Sequence, residues 1–238
     1  MIKRIFKHEL NNLTRDPMYI FFALFPFIFA LISVYLMPYL KNNAPMVAYH
    51  MVFIVFILMN GLIYGAVTGF TLLDDQDDHV LLSLRITPIS VRYYILLKLI
   101  FSYLIGILGT VVLIFASGFY KEISASIFIM IALIGPLQAP MLALIVNLFA
   151  TNKVEGFVAM KSSGLILIGP IASVFLTNWT ELFVGVLPGF WSTKLIYSQL
   201  PNTQTYLNAP WLYFAIGMLV HFIVIFIVFK LYCKKQHI

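Results

Sequence analysis

Runs of apolar residues, separated by short polar segments, fill most of this chain. A helix needs about 20 residues to cross a hydrocarbon core of about 30 Å, and the runs have roughly that length. Charged residues gather between the runs, and none lies deep inside one. The pattern predicts six membrane-spanning helices, over residues 17–40, 46–73, 94–119, 124–150, 162–177 and 209–232.

The composition agrees with this pattern. Hydrophobic residues make up 62% of the 238 residues and charged residues 10%, and the mean hydropathy is +0.98. A soluble fold of this size cannot bury so much apolar surface. The sequence therefore predicts an all-α integral membrane protein, with one transmembrane domain over residues 1–238.

The basic residues predict the orientation. If residue 1 lies in the cytoplasm, the inner segments hold twelve lysines and arginines and the outer segments hold Lys41, Lys121 and Lys194. Such a bias marks the cytoplasmic side, so both termini are predicted to be cytoplasmic. The net charge of +6 is then a topology signal, and no nucleic-acid partner is expected.

Residues 1–16 predict a helix that lies in the membrane interface. Apolar residues fall on one face at helical spacing and basic or polar residues on the other. The alternative is a plain basic anchor. Asp16-Pro17 then begins the first span, because proline is tolerated in the first turn of a helix. The apolar face is made of Ile2, Ile5, Phe6, Leu10 and Leu13.

A further apolar stretch, residues 179–198, is interrupted by Pro188-Gly189. Each half is about nine residues, or roughly 13 Å of helix, which is too short to cross. The stretch also carries Glu181 and Lys194. We therefore predict a re-entrant hairpin on the outer side. A seventh span is the alternative, but it would place the basic C-terminal residues outside.

The most polar segment is the predicted inner loop over residues 74–93. Four aspartates lie within residues 74–78, and a short leucine-rich stretch follows and ends at Arg85. We predict a short helix capped by Asp77 or Asp78 that docks onto a partner; a solvated connecting loop is the alternative. Residues 151–161 form a second, smaller inner loop of the same kind.

Within the spans, Gly61, Gly65 and Gly69 recur at four-residue spacing, which favours close helix packing. Polar side chains also interrupt the apolar runs, and such groups usually face protein or a cavity. They either bond one helix to another or line a substrate path. The absence of deep charges disfavours a carrier driven by protons or sodium. The polar side chains are Asn60, Tyr64, Thr68, Gln138 and Asn147.

The sequence gives little support for a metal site, a phosphate-binding loop or a protease active site. The five histidines lack metal-ligand spacing, so no metal site is predicted, and Cys233 is the single cysteine. A phosphate-binding loop at Lys161 fails because Met160 replaces the required glycine. A membrane serine protease built on Ser117 and His221 is disfavoured.

Four stretches resemble the permease subunits of type-2 ATP-binding-cassette exporters, and within them the bacterial fluoroquinolone-export permeases. The first is the N-terminal "MIKRIFKHELNNLTRDPMYIFFALFPFIFALI", an amphipathic elbow that leads into span one. The second is the acidic segment "LLDDQDDHVLLSLRITPISVRYYILLKLI". The others are "NLFATNKVEGFVAMKSSGLILIGP" and "VGVLPGFWSTKLIY".

The resemblance implies that the chain is the membrane half of an exporter in the bacterial plasma membrane. Such a permease moves a hydrophobic or amphipathic drug, peptide or lipid outward. The implied partners are a cytoplasmic ATPase, which binds ATP and magnesium, and a second permease copy or a paralogue; this chain holds no cofactor. The implied coupling residues are Asp74, Asp75, Asp77, Asp78, Leu81, Leu84, Arg85, Lys153, Glu155 and Lys161, and Pro188 and Gly189 are implied to form an outer gate.

One departure from the family pattern leaves the contact residue open. The family commonly has a glutamate-glycine pair in the first inner loop, and here Asp75 or Asp77 must take that place. A membrane immunity or sensor protein that transports nothing would share the same fold, and it remains the main rival function.

Overall fold

The computed structural model describes residues 14, 16–86, 88–201 and 203–238. The predicted interfacial helix therefore lies almost wholly outside the described residues. Helix accounts for 82% of the structure. The α-helices are α1 (Pro17–Asn43), α2 (Met46–Asp77), α3 (Val80–Leu84), α4 (Val91–Ala116), α5 (Ala125–Ile134), α6 (Gln138–Phe149), α7 (Lys153–Ile166), α8 (Ile168–Ser173), α9 (Phe190–Tyr197) and α10 (Pro210–Lys235), with short 3₁₀ helices at Phe119–Lys121, Gly135–Leu137 and Trp179–Val186.

Six stretches in the described part of the chain are long and apolar enough to cross a membrane. They are α1, α2, α4, α5 continued by α6, α7 continued by α8, and α10. The prediction of an all-α fold with six spans is confirmed.

Local sequence signals fix where several helices begin. Asp16 caps α1 by accepting a hydrogen bond from the Met18 amide at 2.8 Å, and Pro17 occupies the first helical position. This confirms the predicted start of the first span. Ser90 caps α4 in the same way, by accepting from the Tyr93 amide at 3.2 Å. Such caps satisfy amide groups that have no partner within the helix.

Two segments that we predicted as inner loops are largely helical. α2 continues through the first aspartates to Asp77, and α7 begins at Lys153 instead of 162. Asn152 caps α7 by accepting from the Glu155 amide at 3.0 Å, while Glu155 accepts from the Thr151 amide at 2.7 Å. This reciprocal cap starts a helix directly after α6, so the polar residues there do not form a loop.

α2 lies at the centre of the bundle and packs closely against α6. A methyl group on Gly65 would lie 2.8 Å from the Ala139 carbonyl oxygen and 2.9 Å from the Leu142 Cβ. Gly61 faces the Gln138 side chain in the same way, and Gly69 faces Val146. The predicted close-packing stripe of glycines is therefore confirmed, and α6 is the helix that it meets.

The predicted hairpin consists of the 3₁₀ helix Trp179–Val186 and α9, and most of α9 is buried. Its turn is at Gly189, where φ is +84°, a conformation that favours glycine. The turn lies against Leu58 and Gln138. Leu58 is twelve residues into α2, or about 18 Å of helix, so the hairpin reaches deep into the bundle without crossing it.

The two ends of the bundle differ, and we name them for what they carry. The charged end holds Asp16, Asp74 and Lys153, which lie together in one cluster. The hairpin end is the opposite one, where the chain enters and leaves the re-entrant hairpin.

The Gly65 contact yields a prediction about stability. Replacing Gly65 with alanine forces α2 away from the α6 backbone, and overpacking of this kind costs about 1–3 kcal/mol. We expect a clearly lower melting temperature in detergent. Gly164→Ala is the matched control, because nothing lies within 4 Å of a methyl group there and alanine favours helix. Equal melting temperatures for the two variants would contradict the packing described here.

Candidate functional site

The two segments with predicted coupling residues meet at the charged end. The Lys153 ammonium at the start of α7 lies 2.8 Å from an Asp74 carboxylate oxygen near the end of α2. The Tyr19 hydroxyl of α1 donates to the other oxygen of Asp74, and Asp16 lies 3.8 Å from Lys153. One partly exposed ionic cluster therefore joins three spans, and a force on either segment reaches the other.

Asp75 has a different role from its neighbour. It is only 4% exposed, and its carboxylate lies 2.5 Å from the buried Lys98 ammonium of α4. Tyr94 donates to the same oxygen at 3.0 Å, and Lys98 also donates to the Thr71 carbonyl at 3.2 Å. A side chain so enclosed cannot touch a partner protein. Of the two aspartates left open by the sequence, only Asp77 is exposed.

The short helix α3 projects beyond the spans, and its surface differs from the predicted one. His79 is its N-terminal flanking residue, with φ +55°, and no side chain caps the helix, so the predicted Asp77 or Asp78 cap is wrong. Leu81 is buried against Leu72 and Tyr94. Leu84 is half-buried and packs against the same cluster.

The apolar residues of this segment that face outward are instead Leu82 and Ile86, which are 54% and 91% exposed. Asp77 and Asp78 are exposed beside them. We call this set the α3 surface: Asp77, Asp78, Leu82 and Ile86.

Arg85 connects the α3 segment to the C-terminal residues. Its guanidinium donates to the carbonyls of Gln236 and His237 at 3.2 and 3.3 Å. Gln236 in turn donates to the Gln76 side-chain oxygen at 2.9 Å, near the end of α2. The residues that follow α10 are thus held between α2 and α3, a contact for which the sequence offered no signal.

A buried polar network fastens α10 to α2 and α6. The Gln76 amide donates to the Asn147 side chain at 2.8 Å and to the Tyr232 hydroxyl at 3.1 Å. The Lys235 ammonium donates to three backbone carbonyls at the end of α6, including Ala150 at 2.7 Å. A cation at a helix C-terminus satisfies free carbonyls and favours the dipole. Apart from Asn147, the sequence did not single out these residues.

Glu155 and Lys161, predicted with the coupling residues, lie apart from the α3 surface. Glu155 is part of the α7 cap, where it accepts from the Thr151 amide and hydroxyl. Lys161 is exposed on the side of α7, two turns from its start. Neither residue is among those that bond to Asp74 or Arg85.

The polar residues inside the spans bond one helix to another. Asn60 donates to the Gly106 carbonyl and to Thr110 of α4, each at 3.1 Å. Gln138 donates to the Ile57 carbonyl at 3.1 Å, and Asn147 to the Gly69 carbonyl at 2.9 Å. These contacts give the side-chain N–H groups of α2 and α6 an acceptor on a neighbouring helix, in a region where no water can serve.

Tyr64 and Thr68 are also buried, in the α2–α4 contact. The cavity beside them has a volume of about 10 Å³, about the space of one water molecule. The contact between α2 and α4 in a single copy of the chain therefore encloses no path of drug size.

The hairpin is held by a buried ion pair. The Lys194 ammonium lies 2.6 Å from a Glu181 carboxylate oxygen and 2.6 Å from the Leu176 carbonyl oxygen. Tyr213 of α10 donates to the other Glu181 oxygen at 2.5 Å. Both charged side chains are fully buried, so this pair ties the two arms of the hairpin to each other and to α10.

Pro188 and Gly189, the implied gate, lie buried at the opposite end of the same hairpin. The only sequence signal for the ion pair of Glu181 with Lys194 was that opposite charges flank the Pro-Gly turn. The ion pair therefore joins the two arms of the hairpin at the end away from this turn.

Comparison with known proteins agrees with this architecture. The family profile "Fluoroquinolones export permease protein Rv2686c-like" matches residues 9–229. The chain belongs to this family. Two curated relatives, the fluoroquinolones export permease proteins MT2760 and Rv2686c from two strains of Mycobacterium tuberculosis, are each 22% identical over 239 residues. The match covers 97% of this chain and 93% of each relative. No solved structure matches the chain.

Family membership and the six apolar helices make the chain a multi-pass membrane permease. The match includes every element of the charged end up to α10 and the whole hairpin. The cluster at Asp74, the buried pair at Asp75 and the α3 surface all lie within it. They are therefore features of a transport protein rather than of an appended domain.

Ser117 and His221, the residues of the disfavoured protease interpretation, each bond to a nearby backbone carbonyl. Ser117 donates to the Ile114 carbonyl and His221 contacts the Gly217 carbonyl, each within its own helix or at its end. The two are not hydrogen-bonded to one another. In the described ranges no three His, Cys, Asp or Glu residues come together as a metal site.

The Asp75–Lys98 pair yields a second prediction. Lys98→Met leaves the Asp75 carboxylate buried without its counter-ion, a change that typically costs about 3–5 kcal/mol. We expect a large fall in the free energy of unfolding, measured by thermal unfolding in detergent.

Asp77→Asn removes an exposed charge and is the control, expected to change stability by no more than about 0.5 kcal/mol. A double variant, Asp75→Leu with Lys98→Met, should recover most of the loss because neither charge remains. If Lys98→Met is as stable as Asp77→Asn, the pair does not hold α2 to α4.

Proposed function

We propose that this permease is the membrane-spanning half of an ATP-driven exporter. A separate cytoplasmic ATPase binds ATP and magnesium and docks on the α3 surface. A second permease copy, or a paralogue, completes the translocation unit in a bacterial plasma membrane. Family membership and the exposed apolar α3 surface support this proposal together.

The α3 surface is the observation that carries the ATPase proposal. Ile86 is 91% exposed in a segment that projects from the membrane, and an apolar residue so placed favours burial against a protein. The same segment is anchored on its other side by Leu81 and Arg85. A partner bound to the α3 surface therefore moves α2, α4 and the end of α10 through direct contacts.

The proposed cargo is a small amphipathic drug. The curated relatives are named as fluoroquinolone exporters, and we extend that substrate class to this chain. The spans expose many large apolar side chains, including Phe149 at 77% and Leu165 at 67%. Surfaces of this kind suit molecules that partition into the bilayer.

The proposed orientation places the charged end in the cytoplasm. Twelve of the fifteen lysines and arginines then fall on the inner side of the membrane midplane, as the positive-inside rule requires. The hairpin and the ion pair Glu181–Lys194 lie on the outer side, where they close the exit of the path. Both termini are cytoplasmic in this arrangement.

Cysteine labelling tests this orientation. In a Cys233→Ser background, cysteines at Asn42 and Lys121 should react with an impermeant maleimide added to intact cells. Cysteines at Asp77 and Asn152 should react only after the membrane is opened, because they lie at the charged end. Labelling of Asp77→Cys in intact cells would reverse the orientation and remove the α3 surface from the ATPase.

Substitutions on the α3 surface test the docking proposal. Each apolar side chain is worth about 1.5–3 kcal/mol when fully buried, so Leu82→Ser with Ile86→Ser should abolish co-purification of the ATPase. The double variant Asp77→Asn with Asp78→Asn removes only orienting charges and should lower the affinity for the ATPase by less than tenfold. Both double variants should keep the melting temperature of the wild type, since all four side chains are exposed.

Leu81→Ser separates docking from folding, because Leu81 is buried and its loss should lower the melting temperature as well. ATPase retention and normal export by the Leu82–Ile86 double variant would reject the α3 surface as the docking site. Absence of any ATPase from the wild-type preparation, with the chain folded, would instead favour the non-transporting rival.

A further inference from the structure

Lys161 lies inside the fifth span. α7 begins at Lys153, so eight residues, or about 12 Å of helix, separate Lys161 from the charged end. The helical stretch from Lys161 to Ser173 gives only about 18 Å, which is short of a hydrocarbon core of about 30 Å. The span must therefore begin well before Lys161, and its ammonium group belongs to the membrane interior.

Among the described residues, no counter-ion lies beside this lysine. It is exposed on the outside of the single chain, and in the described residues no carboxylate or carbonyl bonds to it. Lys98 and Lys194, the two fully buried lysines in the described residues, are paired with Asp75 and Glu181. A charged side chain inside a membrane faces protein or an aqueous cavity, and it usually marks a functional path.

The exposed side of α7 and α8 resembles a helix-pairing seam. Its residues follow the alternating four- and three-residue spacing by which two helices pack side by side, and Lys161 is near the middle. Two copies related by a two-fold axis along the membrane normal would bring both lysines close to that axis. The exposed members of the seam are Val154, Val158, Lys161, Leu165 and Ile168. The exposed carboxylate of α7, that of Glu155, is held by Thr151 in the helix cap.

An apolar groove of about 620 Å³ runs beside the seam, between α6 and α7. Most of its lining is apolar, including Ile145, Phe149 and Ile166, and Val154 and Val158 belong to both groove and seam. Its polar lining residues are Glu155, Ser162 and Ser163. This volume is in the range of pockets that hold drug-sized molecules. Lys161 does not itself line the groove, but it follows the lining residue Val158 by about one helical turn and directly precedes Ser162. A ligand whose apolar body lies in the groove would therefore have its charged group beside Lys161.

We infer that Lys161 binds the carboxylate of the transported molecule. The inference rests on the proposed export function, and it identifies the substrate class as amphipathic acids. The ligand's anion neutralises the two lysines near the axis, and its ring system lies in the groove between α6 and α7. Lys161 then belongs to the substrate path and not to the ATPase contact that the sequence implied.

A matched pair of ligands tests the inference. We would measure binding of a fluorescent fluoroquinolone and of its methyl ester to the permease in lipid nanodiscs, and transport of both into inside-out vesicles with the ATPase present. The wild type should bind the acid about tenfold more tightly than the ester, since a charged hydrogen bond contributes at least this much. Lys161→Gln should remove that preference and leave ester binding unchanged within about twofold.

Lys161→Arg keeps the charge and should keep most of the preference for the acid. Lys230→Gln is the matched control, because Lys230 is also an exposed lysine in a span, with its ammonium 4.5 Å from the Phe226 ring centroid. Lys230→Gln should change the affinity for neither the acid nor the ester. Equal affinities for acid and ester in the wild type overturn the inference without any variant, as does a Lys161→Gln protein that keeps the preference.

Two further outcomes separate the inference from its alternatives. If the wild type neither binds nor transports either compound, the export proposal itself fails. The last comparison uses nanodiscs of phosphatidylcholine with and without phosphatidylglycerol. If omission of phosphatidylglycerol changes the binding of acid and ester as Lys161→Gln does, and by the same amount for both, the lysine binds a lipid phosphate and the assignment to the cargo is rejected.

Discussion

The close approach of α2 to α6 is the constraint on which the rest of the structure depends. Inside a bilayer, burial of apolar surface does not drive helices together, so contact must come from small residues and from hydrogen bonds. Gly65 lets the Ala139 backbone approach α2 directly. On either side of that contact, Gln138 and Asn147 donate to carbonyls of α2. α2 and α6 thus form a fixed pair against which α4, α7, α9 and α10 are arranged.

This arrangement explains how the projecting α3 segment can act on the spans. Only two residues separate α3 from α2, so α3 cannot swing freely as a long loop would. Its buried side is held by Leu81, and its C-terminal end by Arg85. In the last turn of α2, Asp74 is tied to α7 and Asp75 to α4. A displacement of α3 is therefore shared among four spans by direct contacts, which is the physical linkage that coupling between distant sites requires.

The sequence predicted what depends on long apolar runs and strong local signals. The spans, the Asp16-Pro17 start and the glycine stripe follow from length, capping and spacing, and the structure bears them out. The sequence did not predict which face of α3 is buried. The left-handed backbone of His79 sets the rotation of this five-residue helix about its axis, and therefore which side chains face the spans. The ion pair of Glu181 with Lys194 was also missed, since it depends on how the hairpin arms fold back.

The misplaced start of the fifth span shows why charge is an unreliable marker of helix ends in this protein. Hydropathy alone predicts that the fifth span begins just after Lys161. The cap formed by Asn152 and Glu155 instead begins the helix at Lys153. Capping acts on backbone amides within one turn and is indifferent to a lysine two turns later. The helix therefore carries Lys161 into the bilayer, where its charge must be matched. In the proposed complex, the carboxylate of the cargo supplies the counter-charge that the described residues do not offer to Lys161.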